Sequence, residues 1–222
     1  MNTPIIVSIV MAVVGMVFSV TVHEWAHAMV ADKLGDPNPR REGRLTLNPT
    51  NHLDVLGTLM WPALGASLGS GLFGWGRRVE WDERRFRRDV NGVKGAVMTA
   101  LAGPFANLVM AVLCAVMMKV VLLVSGQPLE AQTGTWHAIV LFMQVLLPMN
   151  LLLCLFNLLP VAPMLDGFTV LAAVVGHEHP VIRAMLANQL LIFVAIVFFG
   201  GRLLVGPLTA LYATIMSGVG II

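Results

Sequence analysis

Long apolar stretches alternate along this chain with short polar ones, and the apolar stretches exceed what a soluble core needs. The first runs from about Pro4 to Ala31. With Pro4 at a position where a helix start tolerates it, this stretch predicts a helix that spans a bilayer, which takes about 20 residues. Further spans are predicted over 93–124 and 136–159. Residues 184–222, interrupted by Gly200-Gly201-Arg202, predict one span plus a broken or short second one. Gly35-Asp36-Pro37-Asn38-Pro39 ends the first helix, and Arg44-Leu45-Thr46-Leu47-Asn48 alternates in the manner of a short strand between Gly43 and Pro49. Residues 53–74 are apolar but carry Gly57, Pro62, Gly65, Gly69, Gly71 and Gly74, so they cross the membrane or dip in and return.

The expected fold is an all-α polytopic membrane protein. It has about five to six transmembrane helices, with a short β-like or re-entrant segment after the first helix. Residues 1–222 are read as a single membrane-embedded domain, with a core over about 8–175 and C-terminal helices over about 184–222. Composition agrees: 57% of residues are hydrophobic and 12% charged, against about 25% charged in a soluble domain. No stretch suggests nucleic-acid binding.

Charge then selects between crossing and dipping. Lys33, Arg40, Arg41 and Arg44 precede the 53–74 segment; Arg77, Arg78, Arg84, Arg85, Arg87, Arg88 and Lys94 follow it. A single crossing would put these basic loops on opposite faces, against the positive-inside tendency, so the segment is expected to dip. The arginines are read as headgroup anchors. The loop 125–136, with Glu130 its one charge, fits the opposite face. Cys114 and Cys154 lie in apolar runs and read as inert buried thiols. Met-Asn-Thr-Pro has no basic n-region, so no cleavable signal peptide is expected.

The first span holds His23-Glu24-Trp25-Ala26-His27. Residues four apart on a helix lie about 40° apart around its axis and about 6 Å along it, so two imidazoles can share one metal ion. Glu24 stands beside the metal's open position, where it can take a proton from water without being a ligand. Ionisable groups at membrane depth are costly, and their default reading is functional. Asp166, after Pro160 and Pro163, is the other such carboxylate. If both basic loops are cytoplasmic, the 4–31 and 136–159 spans deliver the His pair and Asp166 to the same depth. His23, His27 and Asp166 on one Zn²⁺, with a fourth position open, is the arrangement a catalytic zinc needs. Asn157 is read as a contact to substrate or oxyanion, or as a helix-end hydrogen bond. Asn107, at membrane depth, is read as an interhelical hydrogen bond or a substrate contact. His177 and His179 read as a surface turn, and His52 and His137 as interfacial.

With these residues in place, the chain resembles the site-2 protease family of intramembrane zinc metalloproteases. The motifs are His23-Glu24-Trp25-Ala26-His27, Ala102-Gly103-Pro104-Phe105-Ala106-Asn107, and Asn157-Leu158-Leu159-Pro160 through Leu165-Asp166-Gly167. Gly35-Asp36-Pro37 and Gly43 to Pro49 look like the compact prokaryotic branch, and the loops are too short for a PDZ domain. The resemblance implies His23, His27 and Asp166 as zinc ligands and Glu24 as the catalytic acid/base, with Asn157 nearby. It also implies a bacterial plasma-membrane location and membrane-anchored protein substrates, while the basic loops lead to the expectation of a site toward the cytoplasmic face. The family spaces its Asn and Asp by eight residues, whereas Asn157 and Asp166 are nine apart, so the extra residue must be absorbed around Pro160–Pro163. Gly76-Arg77-Arg78-Val79-Glu80 stands where that branch has a Pro-Val-Pro-like stretch. A catalytically silent homologue that binds membrane partners is the competing expectation, and an ion transporter a more distant one.

Overall fold

The computed structural model describes residues 5–68, 74–161 and 163–221. Eight helices follow one another among them: α1 Ile5–Leu34, α2 Asn38–Arg41, α3 Trp61–Leu68, α4 Gly92–Ser125, α5 Gly134–Asn157, α6 Asp166–Val175, α7 Pro180–Ala187 and α8 Gln189–Gly218. A wide-wound helical segment, Val55–Met60, leads into α3. Three helices, α1, α4 and α5, are long and apolar enough to cross a membrane among the described residues. The helices α3 and α6, at 8 and 10 residues, fall short of a crossing. Residues 189–218 form one continuous helix of 30 residues where the sequence reads an interruption.

The helix α4 lies in the middle, packed on α1, α5 and α6. Its sequence is apolar all round, so what orients it is size. Ala96, Ala100, Gly103, Asn107, Ala111 and Cys114 recur every three or four residues and are buried. The bulky Met98, Phe105, Val109, Leu113 and Leu123 face outward. Without a hydrophobic drive between helices in lipid, small residues permit the close approach that packing and hydrogen bonds need. Side-chain bonds set the directions. Ser19 and His23 meet Asn107 while His27 meets Thr99, so α1 and α4 run antiparallel. Ser19 meets Asn150, and Val20 and Glu24 face Leu153 and Asn157 across a cavity, so α1 and α5 run parallel.

No strand is present among the described residues, and the one expected at 44–48 is an irregular turn. Its alternation comes from local chemistry: Asn48 accepts from the Thr50 N–H at the start of a short 3₁₀ turn, Asn51 donates to Gly43 O, and Arg44 turns inward. The chain then leaves at His52 and returns alongside itself. Arg77 N–H bonds His52 O at 2.8 Å and Trp75 N–H bonds Gly57 O at 3.2 Å; the segment expected to dip, 53–74, otherwise includes 69–73, which lie outside the described residues. The flanking loops are stitched together as well. Asp36, fully buried, accepts from the Asn38 and Asp82 N–H groups, and Arg87 N–H bonds Leu34 O. The two basic loops therefore lie side by side.

Candidate metal centre

His23 and His27 sit one turn apart on the buried face of α1, their rings edge to face with centroids 4.7 Å apart. Each ring is aimed through its Nδ1. The Nδ1 of His27 lies 2.7 Å from Thr99 O, a carbonyl that can only accept, so Nδ1 carries the hydrogen. The Nδ1 of His23 lies 2.6 Å from Asn107 Oδ1. The orientation of that amide is itself fixed, because Asn107 Nδ2 donates to Ser19 O at 3.2 Å and to Asn150 Oδ1 at 2.8 Å. Asn150 in turn donates to Ser19 Oγ and Leu146 O. In the neutral imidazoles Nε2 then carries the lone pair, and the two Nε2 atoms face each other at 3.0 Å.

Asp166 completes the triangle. Its Oδ2 is 3.3 Å from each Nε2 and has no hydrogen-bond partner. All three residues are buried. The nine-residue spacing from Asn157 is absorbed because α5 stops at Asn157 and α6 starts at Asp166, with no helix among the described residues between them to pass on a rotation. Gly167 permits the fold-back, since a Cβ there would lie 2.2 Å from Leu158 O. Three acceptor atoms crowded together repel unless a cation lies among them. Two nitrogens and a carboxylate oxygen, with room for a fourth ligand, are a donor set zinc accepts. Gly103 leaves the space: a Cβ there would stand 2.3 Å from His27 Nε2 and 2.6 Å from His23 Nε2. His23, His27 and Asp166 could hold a metal ion.

Beside this cluster lies a cavity of about 300 Å³. Glu24, Asn157 and Arg78 line it with the apolar Val20, Leu153, Phe156 and Met164. An extended segment, residues 74–81, runs along one side. It lies tight on α1 because Gly76 has no side chain; a Cβ there would meet Val20 Cγ1 at 2.2 Å. Glu24, 5% exposed, accepts the Val79 N–H through Oε2 at 2.8 Å. Arg78 reaches over to Asp166 Oδ1 at 3.7 Å and donates to Pro163 O at 3.0 Å.

Curated relatives resemble the chain over most of its length. It is 35% identical over 176 residues to the Bacillus subtilis (strain 168) protein named "Putative zinc metalloprotease YwhC", covering 79% of this chain and 73% of that one. The chain belongs to the site-2 protease family of intramembrane zinc metalloproteases. It is 30% identical to two proteins named "Putative zinc metalloprotease Rip2". One is from Mycolicibacterium smegmatis, with 80% of this chain and 61% of that one aligned; the other is from Mycobacterium tuberculosis H37Rv, with 87% and 68% aligned. The chain therefore spans about 61–73% of the length of these relatives. No family model matches the chain, and no solved structure matches it.

Within this site-2 protease family member, Asn157 lines the cavity but turns its Nδ2 back to Leu153 O at 2.9 Å. Asn107 is fully buried with both amide atoms engaged. The sequence reading missed Ser19, Thr99, Asn150 and Val79. Ser19 and Asn150 carried the same signal as Asn107, a polar side chain at membrane depth; Thr99 and Val79 act through backbone atoms and carried none. His52, read as interfacial, is fully buried with Nε2 on Thr46 O at 2.8 Å, and burial pushes its pKa below the ordinary value. His179 caps α7, and His177 lies 3.9 Å from Glu83.

Proposed function

We propose that this chain is an intramembrane zinc endopeptidase that hydrolyses peptide bonds in or near the transmembrane segments of membrane-anchored proteins. The observation that carries the reading is the convergence of His23 Nε2, His27 Nε2 and Asp166 Oδ2, one residue from a buried carboxylate on the same helix. His23, His27 and Asp166 hold one Zn²⁺ per chain. Bound zinc polarises a carbonyl and lowers the pKa of water toward about 7. Glu24 takes a proton from water at its carboxylate and hands it to the leaving amine. Val20, Leu153, Phe156 and Met164 wall the cavity with apolar surface that suits a membrane segment and limits bulk water. Asn157 spends one Nδ2 hydrogen on Leu153 O, which leaves its Oδ1 and second N–H for a substrate strand or oxyanion. Asn107 positions His23.

The side-by-side basic loops support a site that faces the cytoplasmic side of a bacterial plasma membrane. The pairing of Arg77 N–H with His52 O and of Trp75 N–H with Gly57 O supports the reading of a segment that dips from that face rather than crossing.

The test reconstitutes the full chain in vesicles with a library of single-span peptides. Glu24→Gln is expected to lose cleavage by about 10²–10⁴-fold while keeping wild-type zinc content. Asp166→Ala is expected to lose the zinc. Unchanged cleavage by Glu24→Gln would falsify the mechanism; zinc without turnover in the wild type would identify a silent homologue.

A further inference from the structure

Glu24 is tied to a buried cation through one peptide group. Val79 N–H, which donates to Glu24 Oε2 at 2.8 Å, shares its peptide plane with the Arg78 carbonyl. That carbonyl accepts Arg44 Nη2 at 2.8 Å. Arg44 is 2% exposed, and its Nη1 donates to the carbonyls of Arg77, at 3.1 Å, and Asn51. Its one carboxylate neighbour, Glu42, is 3.6 Å from Nε.

A guanidinium buried with so little direct charge compensation is costly unless its donors are used. Here they are spent on backbone carbonyls that fix the extended segment beside the cavity. Resting on the reading of Glu24 as the proton carrier, we infer that Arg44 is a positioning residue for Glu24, acting through the 78–79 peptide. Its fork spans the carbonyls of adjacent residues 77 and 78, which sets the tilt of that peptide and hence the direction of the Val79 N–H. Donation to the carbonyl also polarises the amide and strengthens its N–H as a donor. One carboxylate oxygen of Glu24 is thereby pinned, and Oε1 is left for water. Lysine supplies the charge but only a point donor, so it cannot reproduce the fork.

The experiment measures kcat, KM and zinc content of the full chain in phosphatidylethanolamine–phosphatidylglycerol vesicles, with a single-span peptide the wild type cuts. Arg44→Gln is expected to lower kcat about 10- to 100-fold, the scale of a misplaced reacting group, with KM within about threefold and zinc unchanged. Arg44→Lys should recover part of the loss. Glu24→Asp, a methylene shorter, has already lost its register with Val79. Adding Arg44→Gln to it should therefore cost less than about threefold more, as coupled residues are non-additive. A kcat near wild type in Arg44→Gln, zinc lost together with activity, or the full loss repeated in the Glu24→Asp background would each overturn the inference. If Arg44→Gln does not fold, Arg44→Lys is judged by the same criteria. Equal cleavage by wild type and Glu24→Gln would instead overturn the proposed function itself.

Discussion

The imidazoles of His23 and His27 are aimed by a side chain and a carbonyl on the neighbouring helix α4, whereas Glu24, one residue from His23, is aimed by a backbone N–H from a segment in no helix. The first kind of support comes from rigid elements packed along their length, with Asn107 and Gly103 on the buried face of α4. The second depends on loops that hold one another through Arg44, Asp36 and the backbone pairing at His52 and Arg77. On the proposed reading, ligand geometry and proton-carrier geometry therefore fail separately. Damage to the helical side should remove the metal, and damage to the extended side should leave the metal and slow the chemistry.

The sharpest way to break that separation is Gly103→Ala. Helix propensity favours alanine by about 1 kcal/mol, yet its Cβ would lie 2.3 Å from His27 Nε2. Neither the ring, held at Nδ1, nor the helix backbone can yield cheaply, so this variant is expected to purify without zinc, read by metal analysis. Asn107→Leu keeps the branched heavy-atom shape but removes the acceptor on His23 Nδ1. Loss of an orienting partner of this kind costs about 10–100-fold in metal affinity, measurable by competition with a chelator. The smallest effect is expected from Arg78→Gln. The Arg78–Asp166 pair is 3.7 Å long and the arginine side chain is 46% exposed, so solvent screens it, and zinc affinity should change by about threefold or less. A larger loss there would mean that the extended segment supports the metal too.

The helical half of the centre was legible in the sequence because helices have a period. Four-residue spacing put His23 and His27 on one face, and an isolated carboxylate after two prolines marked Asp166. Asn107 stood out because amides at membrane depth need partners, and the same argument, applied evenly, would have found Asn150 and Ser19. The other half was not legible. Alternation at 44–48 mimicked a strand, and Arg44 passed for a headgroup anchor and His52 for an interfacial residue although both are buried. Burial in an irregular segment follows from which atoms of distant loops it touches, and neither pattern nor composition encodes that. The nine-residue spacing of Asn157 and Asp166 still leaves Asp166 beside both histidines for a related reason: no helix joins them among the described residues, so no rotation accumulates.

The amide pair Asn107–Asn150, with Ser19 completing it, joins α1, α4 and α5 at the level of His23. Sliding or prying those three apart in hydrocarbon would strand polar atoms with no water to take over. A polypeptide reaching the ligands would thus arrive by another door. Across the cavity, the long, half-exposed Arg78 ties the 74–81 segment to Pro163 O and Asp166 from outside those three helices.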